Sequence, residues 1–231
     1  MRLHRFFVDE TLEGKKDLTL SSSDFTYQLR HVFRFTVGGQ LILLDNSGYE
    51  YLSMISNFGP SSVTLEIVSR REGKNIPAKE LFLFCSIVKK DKFEWIVEKG
   101  TELGVSRFIP VLSDRSEKKG PKAERLNAII KEASEQSGRA TKPVLENIKT
   151  LKDAIAEDIP LFAFDPSGET FVLEHFYKHS TLGVLIGPEV GWSEQEIRMF
   201  KQNSIKIFSL GTSILKTETA ALAVASLVLL S

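Results

Sequence analysis

The sequence predicts an α/β protein: a parallel-sheet domain over residues 73–231, preceded by a small, mostly antiparallel β domain over residues 1–72. Three observations predict it. In the first part, short apolar strands are separated by turn residues. In the second, continuous apolar runs alternate with helix-length segments, the pattern of strands buried on both faces of a parallel sheet. Between them, Arg70 to Lys79 is a charged stretch with Gly73 and Pro77 that reads as a boundary.

The elements follow in order. Leu3 to Val8 reads as a strand, and Ser21-Ser-Ser-Asp24 supplies N-cap candidates for a helix. Phe25, Leu29, Val32 and Phe33, spaced i, i+4, i+7 and i+8, define one face of that helix. Leu41 to Leu44 is a strand running into Asp45-Asn-Ser-Gly48, a hairpin-type turn, and Glu50 to Ser56 and Val63 to Val68 complete the β domain. Leu81 to Val88 is an unbroken apolar strand, followed by a helix from about Asp91 to Leu103 that Gly104 stops. Phe108 to Leu112 is a strand and Pro121 to Gln136 a long helix. Leu161–Phe164, Leu182–Ile186 and Ile205–Phe208 are further strands, and Ser193–Gln202 and Thr217–Leu230 further helices.

Composition narrows the function classes. The chain is 42% hydrophobic and 26% charged, as ordinary folded proteins are. Its single cysteine, Cys85, excludes an intramolecular disulfide and a multi-cysteine zinc site, and lies inside an apolar strand, where it reads as core. The N-terminal residues lack the apolar segment of a secretory signal, and the most apolar stretch, Ala220 to Leu230, falls short of the roughly 20 residues that span a bilayer. The cytoplasm is the expected location, with no membrane partner. Thirty basic and thirty acidic residues cancel, but unevenly: residues 73–150 carry a net +5, and Arg115 to Lys142 hold 8 basic against 4 acidic residues. That excess permits a phosphate-binding face.

No Walker A loop, G-x-G-x-x-G fingerprint or G-x-S-x-G elbow is present. His175 and His179, at i and i+4, have no third ligand or zincin glutamate beside them and read as surface residues, so no metal is expected. Two loops are chemically suggestive. Leu185-Ile-Gly-Pro-Glu-Val-Gly-Trp-Ser193 leaves an apolar strand, and Ser193 with Glu196 forms a capping box that opens the next helix. Ser209-Leu-Gly-Thr-Ser-Ile-Leu-Lys-Thr-Glu-Thr-Ala220 also runs from strand to helix. Ligands of open α/β sheets gather at the carboxyl ends of strands, so two such loops in succession predict a pocket.

At these residues the chain resembles the RsmE-type 16S ribosomal RNA (uracil-N3)-methyltransferases of the SPOUT superfamily, over nearly its whole length. Gln28-Leu-Arg-His-Val-Phe-Arg34, Val37-Gly38 and Leu44-Asp-Asn-Ser-Gly48 resemble that family's PUA-like N-terminal β-barrel domain. Lys90-Asp-Lys-Phe-Glu94, Glu98-Lys-Gly-Thr-Glu-Leu-Gly-Val105, Arg115-Ser116 and Glu132-Ala-Ser-Glu-Gln-Ser-Gly-Arg139 resemble segments of its catalytic domain. Ile186-Gly-Pro-Glu189 and Leu210-Gly-Thr-Ser-Ile-Leu-Lys-Thr-Glu-Thr-Ala220 resemble its two cofactor loops. Two positions depart from the pattern: Val190 stands where the loop usually has glycine, and Lys216 where it usually has arginine. If position 190 needed φ > 0, valine there would be strained by about 1–3 kcal/mol, unless Gly191 carried the turn.

The resemblance implies a SPOUT-type parallel sheet with a C-terminal trefoil knot, a homodimer, and S-adenosyl-L-methionine as methyl donor. The implied reaction is methylation of N3 of one uridine in 16S ribosomal RNA, with the assembled small ribosomal subunit as substrate. Cofactor contacts are expected from Leu185, Ile186, Gly187, Pro188, Glu189 and Gly191 in the first loop, and from Leu210, Gly211, Ile214, Leu215 and Thr219 in the second. Lys216 and Arg139 are the catalytic candidates, as cations that would stabilise the developing N3 anion; Lys216 could also act as a base if desolvated. Arg5, Arg30, Arg34, Arg115, Lys118 and Lys119 are the candidate RNA contacts. The nearly all-apolar last helix needs cover on several sides, which also points to a dimer. Competing readings are a non-catalytic RNA-binding protein of the same fold, motivated by Val190 and Lys216, and a methyltransferase of the same superfamily acting on transfer RNA.

Overall fold

The computed structural model describes residues 3–74 and 78–231. Pro77 of the expected boundary lies outside the described residues. The chain forms two compact units: residues 1–76 together with 134–141, and residues 77–133 together with 142–231.

The N-terminal unit is a five-stranded sheet of β1 (Arg5–Phe7), β2 (Asp17–Leu20), β3 (Gln40–Leu44), β4 (Tyr49–Phe58) and β5 (Val63–Glu72), in the order β1-β3-β4-β5-β2. All pairings are antiparallel except β1 with β3. Leu41, Leu43, Ile55, Val63 and Leu65 are fully buried, each stabilising the unit by about 1.5–3 kcal/mol. The helix expected after Ser21 is shorter than the apolar spacing suggests. Ser22 caps α1 (Ser23–Tyr27), and the chain then widens into a π-helical turn, Gln28–Val32, closed by Phe33 N–H donating to the Gln28 carbonyl at 3.0 Å. The added width keeps Leu29 buried and turns Val32 out, 63% exposed, off the expected core face. Strand β2 is not marked in the sequence. Its alternation, with Leu18 and Leu20 in and Asp17 and Thr19 out, is too short to stand out. Residues 134–141 pack into this unit: Glu135 accepts from Phe7 N–H at 2.8 Å, and Ala140 is buried with Phe7, Ile42 and Leu44.

The second unit is a parallel sheet, as expected. Its strands are β6 (Glu80–Ser86), β7 (Arg107–Leu112), β8 (Val144–Leu145), β9 (Lys149–Thr150), β10 (Leu161–Thr170), β11 (Thr181–Ile186) and β12 (Lys206–Ser209), in the order β12-β10-β11-β6-β7-β8, with β9 also on β7. Residues Leu81 to Ser86 of β6 are all buried, which explains the unbroken apolar run. Its helices are α2 (Lys90–Leu103), most of α3 (Ala123–Ser137), α4 (Leu151–Ile155), α5 (Glu174–Tyr177), α6 (Glu194–Gln202) and α7 (Thr217–Leu229). Gly104 ends α2 in the left-handed conformation, as expected of a C-cap. The short elements β8, β9, α4 and α5 carry too few residues for a periodic signal. His175 and His179 pack beside Phe208 and Phe162, with ring centroids 4.9 and 5.8 Å apart.

The chain runs outward from β6 to β7 and β8, then returns to place β11 on the other side of β6. This reversal is where an open α/β sheet leaves a crevice at the carboxyl ends of its strands. After β12 at the sheet edge, α7 comes back to pack against α2, β6 and β11. Among the described residues no helix is long and apolar enough to cross a membrane.

Candidate functional site

Three loops meet at the carboxyl ends of the adjacent strands β12, β10 and β11, and enclose a cleft of about 480 Å³. That volume lies within the usual range of small-molecule sites.

The first loop leaves β11 at Gly187. Gly191 N–H donates to the Pro188 carbonyl at 2.9 Å, closing a tight turn. The left-handed residue of this turn is Gly191, with φ +74°. Val190 does not take a positive φ, so a β-branched residue sits there without backbone strain. Trp192 is buried, donates from its indole nitrogen to the Phe164 carbonyl at 3.1 Å, and meets the Phe200 ring edge-on. Ser193 and Glu196 then form the expected capping box of α6.

The second loop leaves β12. Ser209 Oγ donates to the Gly211 carbonyl at 3.0 Å, and Thr217 Oγ1 at the start of α7 donates to the Gly187 carbonyl at 3.0 Å. This last bond ties the second loop to the first.

The third loop is one that sequence reasoning does not find. Strand β10 does not stop at Phe164. It bulges out over Asp165 to Gly168 and returns, so that Glu169 and Thr170 pair with Phe208 and Ser209 of β12. Asp165 Oδ1 accepts from the Ser167 backbone at 2.9 Å and hydroxyl at 2.6 Å, holding the bulge against the cleft. The signal that could have found it is Asp165-Pro-Ser-Gly168, a turn composition directly after a buried strand.

Of the eleven expected cofactor residues, eight line the cleft: Ile186 to Glu189, Gly191, Leu210, Ile214 and Leu215. Leu185 is buried in the hydrophobic cluster with Phe84 and Trp192, because successive residues of a strand face opposite sides. Gly211 and Thr219 are exposed and stand outside the lining. Phe164, Phe208 and Ala220 add apolar wall, and the charged side chains of the lining are two carboxylates, Asp165 and Glu189.

A charge cluster flanks this cleft. Lys92 of α2 forms an ion pair with Glu189, and its Nζ lies 3.9 Å from Glu218 Oε1. The bond to Lys92, with the charges of Lys89 and Lys216 behind it, holds the Glu189 carboxyl below the usual range despite some burial. Glu218 Oε2 is buried and has no hydrogen-bond partner among the described residues. Lys92 is the residue sequence reasoning missed: it engages Glu189 and approaches Glu218. Lys216 itself is exposed at the N-cap of α7, outside the lining, so its reading as a desolvated base has no burial behind it. Arg139 belongs to the N-terminal unit, where it is 5% exposed and donates to the Thr141 carbonyl at 3.2 Å. Burial lowers its guanidinium to about 10. Burial first, then the charge of Glu218, pushes the Cys85 thiol up to about 12, a neutral core group.

The expected RNA contacts divide. Arg5 is spent on the buried Glu50, at 2.9 Å, which Arg71 also engages. Arg30 lies 4.7 Å over the Phe58 ring and donates to the Gly59 carbonyl. Arg34, Lys118 and Lys119 are exposed. Arg115 lies beside the first loop, with Nη1 donating to the Val190 and Trp192 carbonyls at 3.3 and 3.4 Å.

Fold and site define a class: a parallel α/β domain with a small-molecule cleft looped over the carboxyl ends of its strands. The chain belongs to the RNA methyltransferase domain family, whose model matches residues 74–229. Among its relatives are proteins named ribosomal RNA small subunit methyltransferase E. The one from Helicobacter pylori is 30% identical over 96% of this chain and 98% of its own, and that from Rickettsia conorii is 27% identical over 96% and 93%. The crystal structure of ribosomal RNA small subunit methyltransferase E from Neisseria gonorrhoeae bound to S-adenosyl methionine superposes with a TM-score of 0.89. It has 25% sequence identity and covers 97% of this chain and 96% of that one.

Proposed function

We propose that this protein is an S-adenosyl-L-methionine-dependent methyltransferase acting on N3 of a uridine in 16S ribosomal RNA. The observation that carries this is the cleft. Eight residues expected from the resemblance meet there, in a fold shared with relatives named for that class of enzyme. The cleft also fits the cofactor chemically. Leu210, Ile214 and Leu215 offer apolar surface for an adenine, and the loops offer backbone N–H and C=O groups for its edge. The carboxylates of Asp165 and Glu189 suit a ligand bearing a sulfonium and an ammonium.

When bound, the cofactor supplies an electrophilic methyl group for in-line displacement by N3, leaving a thioether. The residues of this chain align the two partners and favour loss of the N3 proton. Lys216 is the proposed cation for the developing N3 anion; Arg139, buried in the N-terminal unit, does not keep that role. The resemblance further supports a trefoil knot, and the packing of α7 against β6 and β11 after the edge strand β12 is compatible with that reading. It likewise supports a PUA-like, RNA-binding role for the N-terminal unit and a cytoplasmic location. Mapping methylated uridines in 16S ribosomal RNA of a deletion strain tests the function. An unmethylated N3 that is restored by the parental gene is the expected result, and an unchanged map refutes it.

A homodimer is part of this proposal. Leu227 and Leu230 at the end of α7 are 40% and 69% exposed, and Trp95 on α2, which packs against α7, is 49% exposed. A second copy would cover these side chains. Light scattering at micromolar concentration is expected to give twice 25.9 kDa. The exposed Lys118 and Lys119 are proposed phosphate contacts, together with Arg34. Reversing both lysine charges is expected to weaken RNA binding about tenfold or more, to flatten its salt dependence, and to leave cofactor affinity unchanged in calorimetry.

A further inference from the structure

We infer that Arg115 is a positioning residue that clamps the first cofactor loop, rather than a phosphate contact; the inference rests on the proposed cofactor reading of the cleft. Arg115 sits in a turn after β7 that is itself rigid. Ser116 N–H donates to the Ser113 carbonyl at 3.2 Å, and Ser116 Oγ both accepts from Ser113 N–H and donates to its carbonyl. That turn is tied to the start of α6 at two further points. Asp114 N–H donates to Glu196 Oε1 at 2.9 Å, and Ser193 Oγ donates to Asp114 Oδ2 at 2.5 Å. Glu196 is 3% exposed, so the anchor is buried.

From this base the guanidinium reaches the loop. Its Nη1 donates to the carbonyls of Val190 and Trp192, which flank Gly191 on either side. Gly191 is the left-handed residue of the loop, and Val190 beside it is 66% exposed, so little side-chain burial fixes it. All three residues line the cleft. The two bonds therefore hold the backbone on both sides of Gly191 and fix a stretch of cleft wall in advance of any ligand. Such preorganisation lowers the ordering cost of binding. It also accounts for an arginine at this place: a lysine keeps the charge but is one bond shorter, so its ammonium falls short of the two carbonyls.

The test reads the loop and the ligand separately. In a Trp95→Phe background, Trp192 is the sole tryptophan, since the chain has 2. Arg115→Ala is expected to shift Trp192 emission to the red and to raise the Kd for S-adenosyl-L-methionine about tenfold in calorimetry. The salt dependence of binding to oligouridylate RNA stays unchanged, and turnover at saturating cofactor stays within about twofold. Arg115→Lys is expected to rescue neither the emission nor the Kd. Unshifted emission with an unchanged cofactor Kd overturns the inference, as does full rescue of both by lysine. A salt slope shallower by about one phosphate would place Arg115 on RNA instead. The emission arm needs no cofactor, so a parent protein that fails to bind S-adenosyl-L-methionine refutes the proposed function without deciding the clamp.

Discussion

Lys216→Ala is expected to lower kcat by roughly 10²–10³, the effect of losing one preorganised group that stabilises charge in the transition state. The substitution is clean. Lys216 makes no side-chain cap of α7, and its backbone carbonyl, which accepts from Ala220 N–H at 2.9 Å, is retained in alanine. Its ammonium takes part in no ion pair among the described residues, because Lys92 engages Glu189 and approaches Glu218. The melting temperature should therefore hold. Cofactor Kd should change little, since Lys216 does not line the cleft. Lys216→Arg should retain or raise activity. Single-turnover rates on small-subunit particles check this, and an alanine variant turning over at the parental rate removes the catalytic assignment of Lys216.

The site is legible in the sequence where local chemistry marks it. Gly187 and Gly211 each follow an apolar strand, and Ser193 with Glu196 announces a helix, so residue order alone places two of the three loops. Three things are not legible, each for a physical reason. Strand β11 is buried on both faces, so its apolar run cannot say which side chain meets the cleft; Ile186 does and Leu185 does not. The bulge in β10 interrupts its apolar run, so the strand reads as ending at Phe164 although pairing resumes at Glu169. Lys92 and Arg115 act on loops 97 and 75 residues away, and long-range partners leave no periodic trace. The Val190 departure, which taken alone favours a protein without chemistry, loses that force because Gly191 carries the positive φ.

Gly168→Ala is expected to damage fold and site together. A Cβ at this position would lie 2.6 Å from the Ile207 carbonyl oxygen and 2.7 Å from the Ile207 and Phe208 carbonyl carbons. These are backbone atoms of β12, so no side chain can swing aside. Strand β12 cannot retreat cheaply either, because Phe208 is fully buried among Phe162, Phe171 and Phe176. The bulge must therefore open, losing the pairing of Glu169 and Thr170 with β12. A cost of about 1–3 kcal/mol is expected from such overpacking, and a fall in Tm of several degrees, at about 2–4 °C per kcal/mol for a chain of this size. The bulge also carries Asp165 to Ser167 along the cleft, so its displacement should raise the cofactor Kd by about 10- to 100-fold. Ser167→Ala separates the two effects: it removes only the hydroxyl bond to Asp165 Oδ1 and leaves the backbone path intact. Its Tm should stay within a degree or so of the parent's, since an exposed substitution costs at most about 0.5 kcal/mol. If Gly168→Ala melts and binds as the parent does, the bulge yields freely, and the third loop is not a fixed wall of the site.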